Sequence, residues 1–360
     1  MTLHGYKYQL SFKTPLKNSK GIFKNHKGVI LEYVSDKITC FSEAAPLPGY
    51  SRESINEVEQ FLLKNRDKIT SILDAENSVQ RLEKFYKISG DIPASIKFAL
   101  DSLSNEITAL HRQKSLKKLL FPDAPDQIPV NALVSLHSDH FLETIKDRVS
   151  EGFQTIKFKV GIDFEHEFKQ LKKIRDEYPA LNIRLDANQA WKLKDALIYC
   201  PKLASLNVEY CEEPLQEITP ENFEVLSQHT DLPLALDESI ISTDFWPNLL
   251  PFTSFIILKP MLIGSFTTIF ETKRLADTHD NKTVFTTSFE SGIGRKIIAT
   301  LALGWGAKDT AHGLATGSLL SQDVHSDFTY ITNGFFNIES PKHSSGVTTR
   351  QIKKVSKSIF

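Results

Sequence analysis

Polar and apolar positions alternate through the first fifty residues, as in Tyr6-Lys7-Tyr8-Gln9-Leu10-Ser11-Phe12 and Gly28-Val29-Ile30-Leu31-Glu32-Tyr33-Val34. A period of two puts every second side chain on one face, so these runs predict the strands of a hairpin or meander. Between them Asn18-Ser19-Lys20-Gly21 has the composition of a turn and is read as a mobile loop. From about Glu53 to Leu120 the apolar residues recur at helical spacing, and Pro93-Ala94-Ser95 opens the clearest helix at Ile96-Lys97-Phe98-Ala99-Leu100. Strands followed by helices predict a small α+β domain over residues 1–125.

After Pro122-Asp123-Ala124-Pro125-Asp126 short apolar runs alternate with helical stretches, the pattern of parallel βα units. The runs are Val130–Val134, Thr155–Lys159, Asn182–Asp186, Asn207–Cys211, Leu234–Asp237, Ser254–Leu258, Thr283–Thr286 and Asp309–His312. Eight of them predict an α/β fold, a TIM-like (β/α)8 barrel over residues 126–320. No GxGxxG follows an early strand, and a full barrel suits the length better than a doubly wound sheet. Strand-like and basic character returns in residues 321–360, at Phe328-Thr329-Tyr330-Ile331 and Gln351-Ile352-Lys353-Lys354, and this segment is expected to pack back on the first domain.

Composition narrows the function. The 360 residues are 41% hydrophobic and 24% charged, and 43 basic residues against 44 acidic ones leave a net charge of -1. No overall field draws nucleic acid or an anionic membrane, so the expected partner is a small molecule. The three cysteines, Cys40, Cys200 and Cys211, match no zinc-ligand spacing, which suits a reducing compartment. The charged start and the absence of a long apolar run lead us to expect a cytoplasmic protein with no membrane insertion. Monomer and homo-oligomer both stay open.

Polar residues end several of the barrel strands at a regular pitch. Lys159, Asp186, Glu212, Asp237 and Lys259 are separated by 27, 26, 25 and 22 positions, about one βα unit each. In a barrel the C-terminal strand ends converge on one face, so these residues gather round one pocket. Alternation agrees: with Ile156 and Phe158 facing the helices, Lys157 and Lys159 point inward, and Asp186 and Asp237 follow from the same rule. On strand four Glu209 is expected to face outward, with a bulge bringing Glu212 in.

Three carboxylates on adjacent strands offer hard oxygen ligands, which select Mg²⁺, with Mn²⁺ as a substitute, over zinc. Lys159 and Lys259 then lie on opposite sides of the metal. Such a set fits removal of a proton next to a carboxylate, because the dianionic enediolate that forms needs several positive charges around it. A second ammonium at Lys157, with the metal, disfavours the charged form of Lys159 and so suits it to act as a base.

These residues resemble the enolase superfamily, whose lysine or histidine base with Mg²⁺ is a standard example in this chemistry. Lys157-Phe158-Lys159, Leu185-Asp186-Ala187-Asn188 and Lys259-Pro260 look like its muconate-lactonizing-enzyme subgroup. Within that subgroup Arg184 to Trp191, Cys211-Glu212-Glu213-Pro214, Leu236-Asp237-Glu238-Ser239, Thr287 to Gly294 and His312 to Gly317 are similar to the o-succinylbenzoate synthases, dehydratases of menaquinone biosynthesis. The resemblance makes residues 1–125 a capping domain and implies a syn elimination with Lys159 as base and then acid, Lys259 as a fixed charge opposite. It implies that Ser288, Ser291 and Gly292 cradle a succinyl carboxylate, that Ser19, Lys20 and Gly21 form a loop over the site, and that Asn188 and Glu238 support the lysine and the metal ligands. A helix cap at Ser291-Gly292 and a plain hairpin turn at residues 19–21 are the bland alternatives. A racemase or epimerase of N-acylamino acids or dipeptides, and a non-catalytic metal-binding barrel, remain open beside the dehydratase.

Overall fold

The computed structural model describes residues 1–18, 21–75, 77–88, 90–324, 331–338, 349, 352–353 and 356–360. Strands β1 (Thr2–Asn18), β2 (Gly21–Val34) and β3 (Thr39–Ala44) form the predicted antiparallel meander. Alternation along β2 sorts its side chains onto two faces. Val29, Leu31 and Tyr33 pack on helices α1 (Ile55–Leu73), α2 (Ser78–Phe85) and α3 (Ala94–His111), while Ile30 joins Tyr6, Tyr8 and Leu10 in the core shared with the barrel. Helix α1 starts in a reciprocal capping box between Ser54 and Glu57, and the short α4 (Leu116–Leu120) starts at Ser115.

A second body follows. Strand β4 (Gln127–Pro129) leads into β5 (Ala132–Val134), β6 (Thr155–Lys159), β7 (Asn182–Asp186), β8 (Tyr210–Glu212), β9 (Leu234–Leu236), β10 (Phe255–Leu258) and β11 (Lys282–Phe285). The last seven lie side by side in sequence order, and the pairs between them are parallel. The connecting helices are α5 (Phe141–Ser150), α6 (Phe164–Glu177), α7 (Leu193–Ala204), α8 (Pro220–Gln228), α9 (Ser239–Ser242), α10 (Pro260–Ile263), α11 (Phe266–Asp277) and α12 (Gly292–Trp305). Helical crossovers between neighbouring parallel strands leave a curved sheet whose two edges meet.

The eighth run closes the ring through parallel bridges only, Val130 to His312 on one edge and Thr286 to Gly313 on the other. Its shortness has a local cause. The Phe285 amide, which a continuing ladder would pair with a carbonyl, donates instead to His312 Nδ1 at 2.9 Å, and the other ring nitrogen meets the Ala307 carbonyl at 3.1 Å. Burial pushes His312 down to about 4, so the ring is neutral and can accept that amide.

Strand four departs from expectation. Arg184 pairs with Tyr210 and Asp186 with Glu212 in unbroken register, so no bulge is needed to turn Glu212 inward. Glu209 turns its carboxylate under the barrel to the buried Arg184, 2.8 Å from Nε, instead of facing outward. The guanidinium explains this, because it also holds the Ala311 carbonyl at 2.7 Å and lies over the Tyr210 ring, and a buried charge needs its counter-ion. Strand β13 (Phe335–Asn337) pairs with β4 on one side and with β12 (Ile331–Thr332) on the other, and β14 (Ser356–Ser358) pairs with β1. Among the described residues no helix is long and apolar enough to cross a membrane.

Candidate active site

The strand ends carry the chemistry. Val130, Ile156, Phe158, Ile183 and Leu185 fill the layer between sheet and helices, which leaves the intervening side chains of each strand pointing into the barrel. Asp186, Glu212 and Asp237, from three successive strand ends, each offer an oxygen, and these oxygens lie within 4.8 Å of one another. All three are buried. Hard oxygens converging at that spacing fit a divalent cation that keeps positions open for other ligands.

Two lysines already hold this triad. Lys157 Nζ is 2.9 Å from Asp186 Oδ2 and also hydrogen-bonds Glu212. Burial works against its charge, but Asp186, Glu212 and Asp237 outweigh that and hold the ammonium well above the usual lysine range. Lys259 Nζ meets both oxygens of Asp237 at 2.5 Å and sits 5.6 Å from the centre of the Tyr50 ring. Its charge is likewise favoured, by Asp237 and Glu238 against burial. Crowding shows in the carboxyls. Burial, with the charges of Asp186 and Asp237, pushes Glu212 up to about 7, whereas in Asp186 the lysines overcome burial and lower the carboxyl.

Lys159 is placed differently. Its ammonium donates to a neutral group, the Asn188 amide oxygen, at 2.8 Å. The amide nitrogen of that side chain donates to Glu238 Oε1 at 2.8 Å, and the Asn188 backbone amide donates to Asp186 Oδ1 at 3.1 Å. Asn188 has φ of 43°, a left-handed conformation that asparagine tolerates better than most residues. Burial and the neighbouring Asp237 and Asp186 raise Glu238 to about 8.

One cavity is lined by Lys157, Lys159, Asp186, Asn188, Glu212, Asp237, Lys259 and Ser288. Glu238 stands just behind it. Ser291 and Gly292, grouped with Ser288 by sequence, are not brought to the cavity wall. The amides of Ser291 and Gly292 are taken at 2.9 Å by the carboxylates of Glu43 and Asp323, and Ser291 caps α12. No free anion cradle is left at that helix start. Gly21 is exposed in the β1–β2 turn, and Ser19 and Lys20 lie outside the described residues.

Some site residues escaped sequence reasoning. Glu213 accepts the Asp237 amide at 2.7 Å and the Ser239 amide at 3.0 Å, so it aims the strand-five acid. The doubled acid in Glu212-Glu213-Pro214 was its only signal. Tyr50 reaches Lys259 from the capping side, and nothing in Pro48-Gly49-Tyr50 pointed there.

Comparison with known proteins agrees with this geometry. Residues 140–344 match the model of the family described as enolase C-terminal domain-like. An o-succinylbenzoate synthase of Pectobacterium atrosepticum is 27% identical over 331 residues, 90% of this chain and 92% of that protein. A hydrophobic dipeptide epimerase of a Flavobacteria bacterium is 26% identical over 355 residues, 92% of this chain and 98% of that protein. The solved muconate lactonizing enzyme of Pseudomonas fluorescens superposes with a TM-score of 0.86 at 17% identity, over 99% of this chain and 98% of that one, a likeness of fold. The family match runs over more than half of the residues, and on that ground the chain is an enzyme of the enolase superfamily.

Proposed function

We propose that the chain carries out the o-succinylbenzoate synthase reaction, the syn dehydration of a succinyl-hydroxy-cyclohexadiene carboxylate to o-succinylbenzoate and water. The observation that carries the reading is the inequality of the two lysines: Lys159 rests on a neutral amide, whereas Lys259 is pinned to both oxygens of Asp237. A one-base elimination needs one mobile proton carrier and one fixed charge, whereas a racemase needs two carriers.

In this reading Lys159 Nζ takes the proton alpha to the ring carboxylate, and the C–H electrons move into an enediolate. Lys259 and Lys157 keep their protons and face the developing negative charge. Asp186, Glu212 and Asp237 would hold a Mg²⁺ ion, with Mn²⁺ as substitute, which would supply positive charge to stabilise the enediolate. The electrons then return to form the aromatic ring as the C–O bond breaks, and the proton on Lys159 leaves with the hydroxyl as water. Asn188, fixed by Glu238, aims Lys159. Ser288, whose buried hydroxyl lacks a partner among the described residues, addresses the succinyl carboxylate, while Ser291 and Gly292 hold that wall from the start of α12. The relatives at 27% identity support this choice of substrate.

The test is turnover of that substrate by the pure protein with Mg²⁺. Lys159→Ala should lose at least about a thousandfold in kcat. Full activity in that variant would sink the mechanism. The epimerase relatives favour a second reading, two-sided proton exchange on an amino-acid derivative. Incubation in D₂O separates them, since deuterium entering a recovered N-acylamino acid or dipeptide as fast as any dehydration supports the epimerase.

A further inference from the structure

The cavity wall at the end of β11 is held from outside the barrel. Glu43, at the end of the capping strand β3, is fully buried and accepts from four donors: Ser291 N at 2.9 Å, Gly294 N at 2.9 Å, the Ser291 hydroxyl and the Tyr8 hydroxyl. The approach is close by design of the sequence. A Cβ on Gly294 would stand 3.0 Å from Glu43 Oε2 and 2.8 Å from Glu290 Cβ, so only glycine admits the carboxylate there.

Between this clamp and the cavity the chain is strained. Phe289 has φ of 69°, a left-handed conformation rare for an aromatic residue, which persists only where its surroundings over-determine it. They do so on both sides. Glu43 fixes Ser291 after it, Glu290 Oε2 accepts the Ser288 amide at 2.6 Å before it, and the Phe289 ring meets Phe12 of capping strand β1 edge-on at 5.2 Å. The reversal at Phe289 is what sends Ser291 into the helix cap and leaves Ser288, its hydroxyl unpartnered among the described residues, on the cavity wall.

We propose that Glu43 is a positioning residue for substrate recognition: from the capping domain it clamps the start of α12 and so presents the Ser288 hydroxyl to the distal acyl arm of the substrate. The identity of that arm rests on the dehydratase reading above. The clamp itself acts through Ser288 and touches neither the metal ligands nor Lys159.

The test is a double-mutant cycle on KM. Glu43→Gln keeps the shape, but one oxygen of Glu43 accepts from Ser291 N and the other from Gly294 N, so either orientation of the amide turns its NH₂ toward a backbone donor and the wall should relax. Both Glu43→Gln and Ser288→Ala should raise KM for the cyclohexadiene substrate about tenfold, the scale of one lost hydrogen bond, with kcat changed less than about twofold. The double variant should be no worse than Ser288→Ala alone, and Mn²⁺ affinity measured by electron paramagnetic resonance should be unchanged in all three. Should Glu43→Gln not fold, Tyr8→Phe removes one donor to the same carboxylate and should raise KM about threefold, an increase that vanishes in the Ser288→Ala background. An unchanged KM in the folded variant, or effects of Glu43 and Ser288 that multiply, overturns the inference alone. Absence of any dehydration by the wild-type protein overturns the dehydratase reading and the inference with it.

Discussion

Lys157 and Lys159 are two residues apart on one strand yet meet different partners. Lys157 bridges Asp186 and Glu212, so much of its charge is compensated before it is felt at Lys159. Its ammonium competes with a divalent ion for the same carboxylates. Lys157→Met should therefore bind Mn²⁺ several-fold more tightly in a direct titration, because a like charge is removed, while kcat falls at least about tenfold for want of that charge at the enediolate. Glu290 gives a second prediction. Burial, with the nearby Glu43, raises it from 4.5 to about 8, so the folded protein holds a proton that the unfolded chain releases. The stability this contributes is fully present below about 4.5 and is lost as pH rises through about 8. Glu290→Gln should flatten that fall, read as the change in melting temperature between pH 5 and pH 8.

At the scale of elements, the barrel depends on a buried floor as well as on its ladders. Arg184 on β7, bound to Glu209 just before the neighbouring β8, reaches the Ala311 carbonyl on the eighth run, which the sheet order leaves apart from β7. Removing one partner of a buried pair costs more than removing both, because the survivor is left without its counter-ion. Arg184→Met should destabilise by about 3 kcal/mol in denaturant titration, and Arg184→Met with Glu209→Gln by clearly less. A larger loss in the double variant would show that the floor is held by something else. Helix starts are local events: Ser54 and Ser115 cap helices through backbone amides only three residues on.

At the scale of the whole molecule, the candidate site sits on a barrel whose core is apolar and continuous around it. Metal and fold should be separable. Chelation should abolish turnover, Mg²⁺ or Mn²⁺ should restore it, and the far-ultraviolet circular dichroism should stay the same throughout, since the triad lies at the mouth of that core. Collapse of the dichroism on chelation would mean that the ion is structural.

What the amino-acid order determined by itself was everything with a short period. Alternation turned Lys157, Lys159 and Asp186 inward, and the spacing of one βα unit carried that placement from strand to strand to Lys259, because backbone geometry repeats locally. What only the tertiary structure decided was which groups meet across the chain. Glu43 reaches Ser291 across 248 residues, and that encounter turned an expected anion cradle into a helix cap filled from within. Glu209 found Arg184 under the barrel, and the His312 ring took the place of a backbone acceptor at its seam. Each of these is a buried polar group finding its partner through space, and the need for a partner can be read from a residue type while its identity cannot.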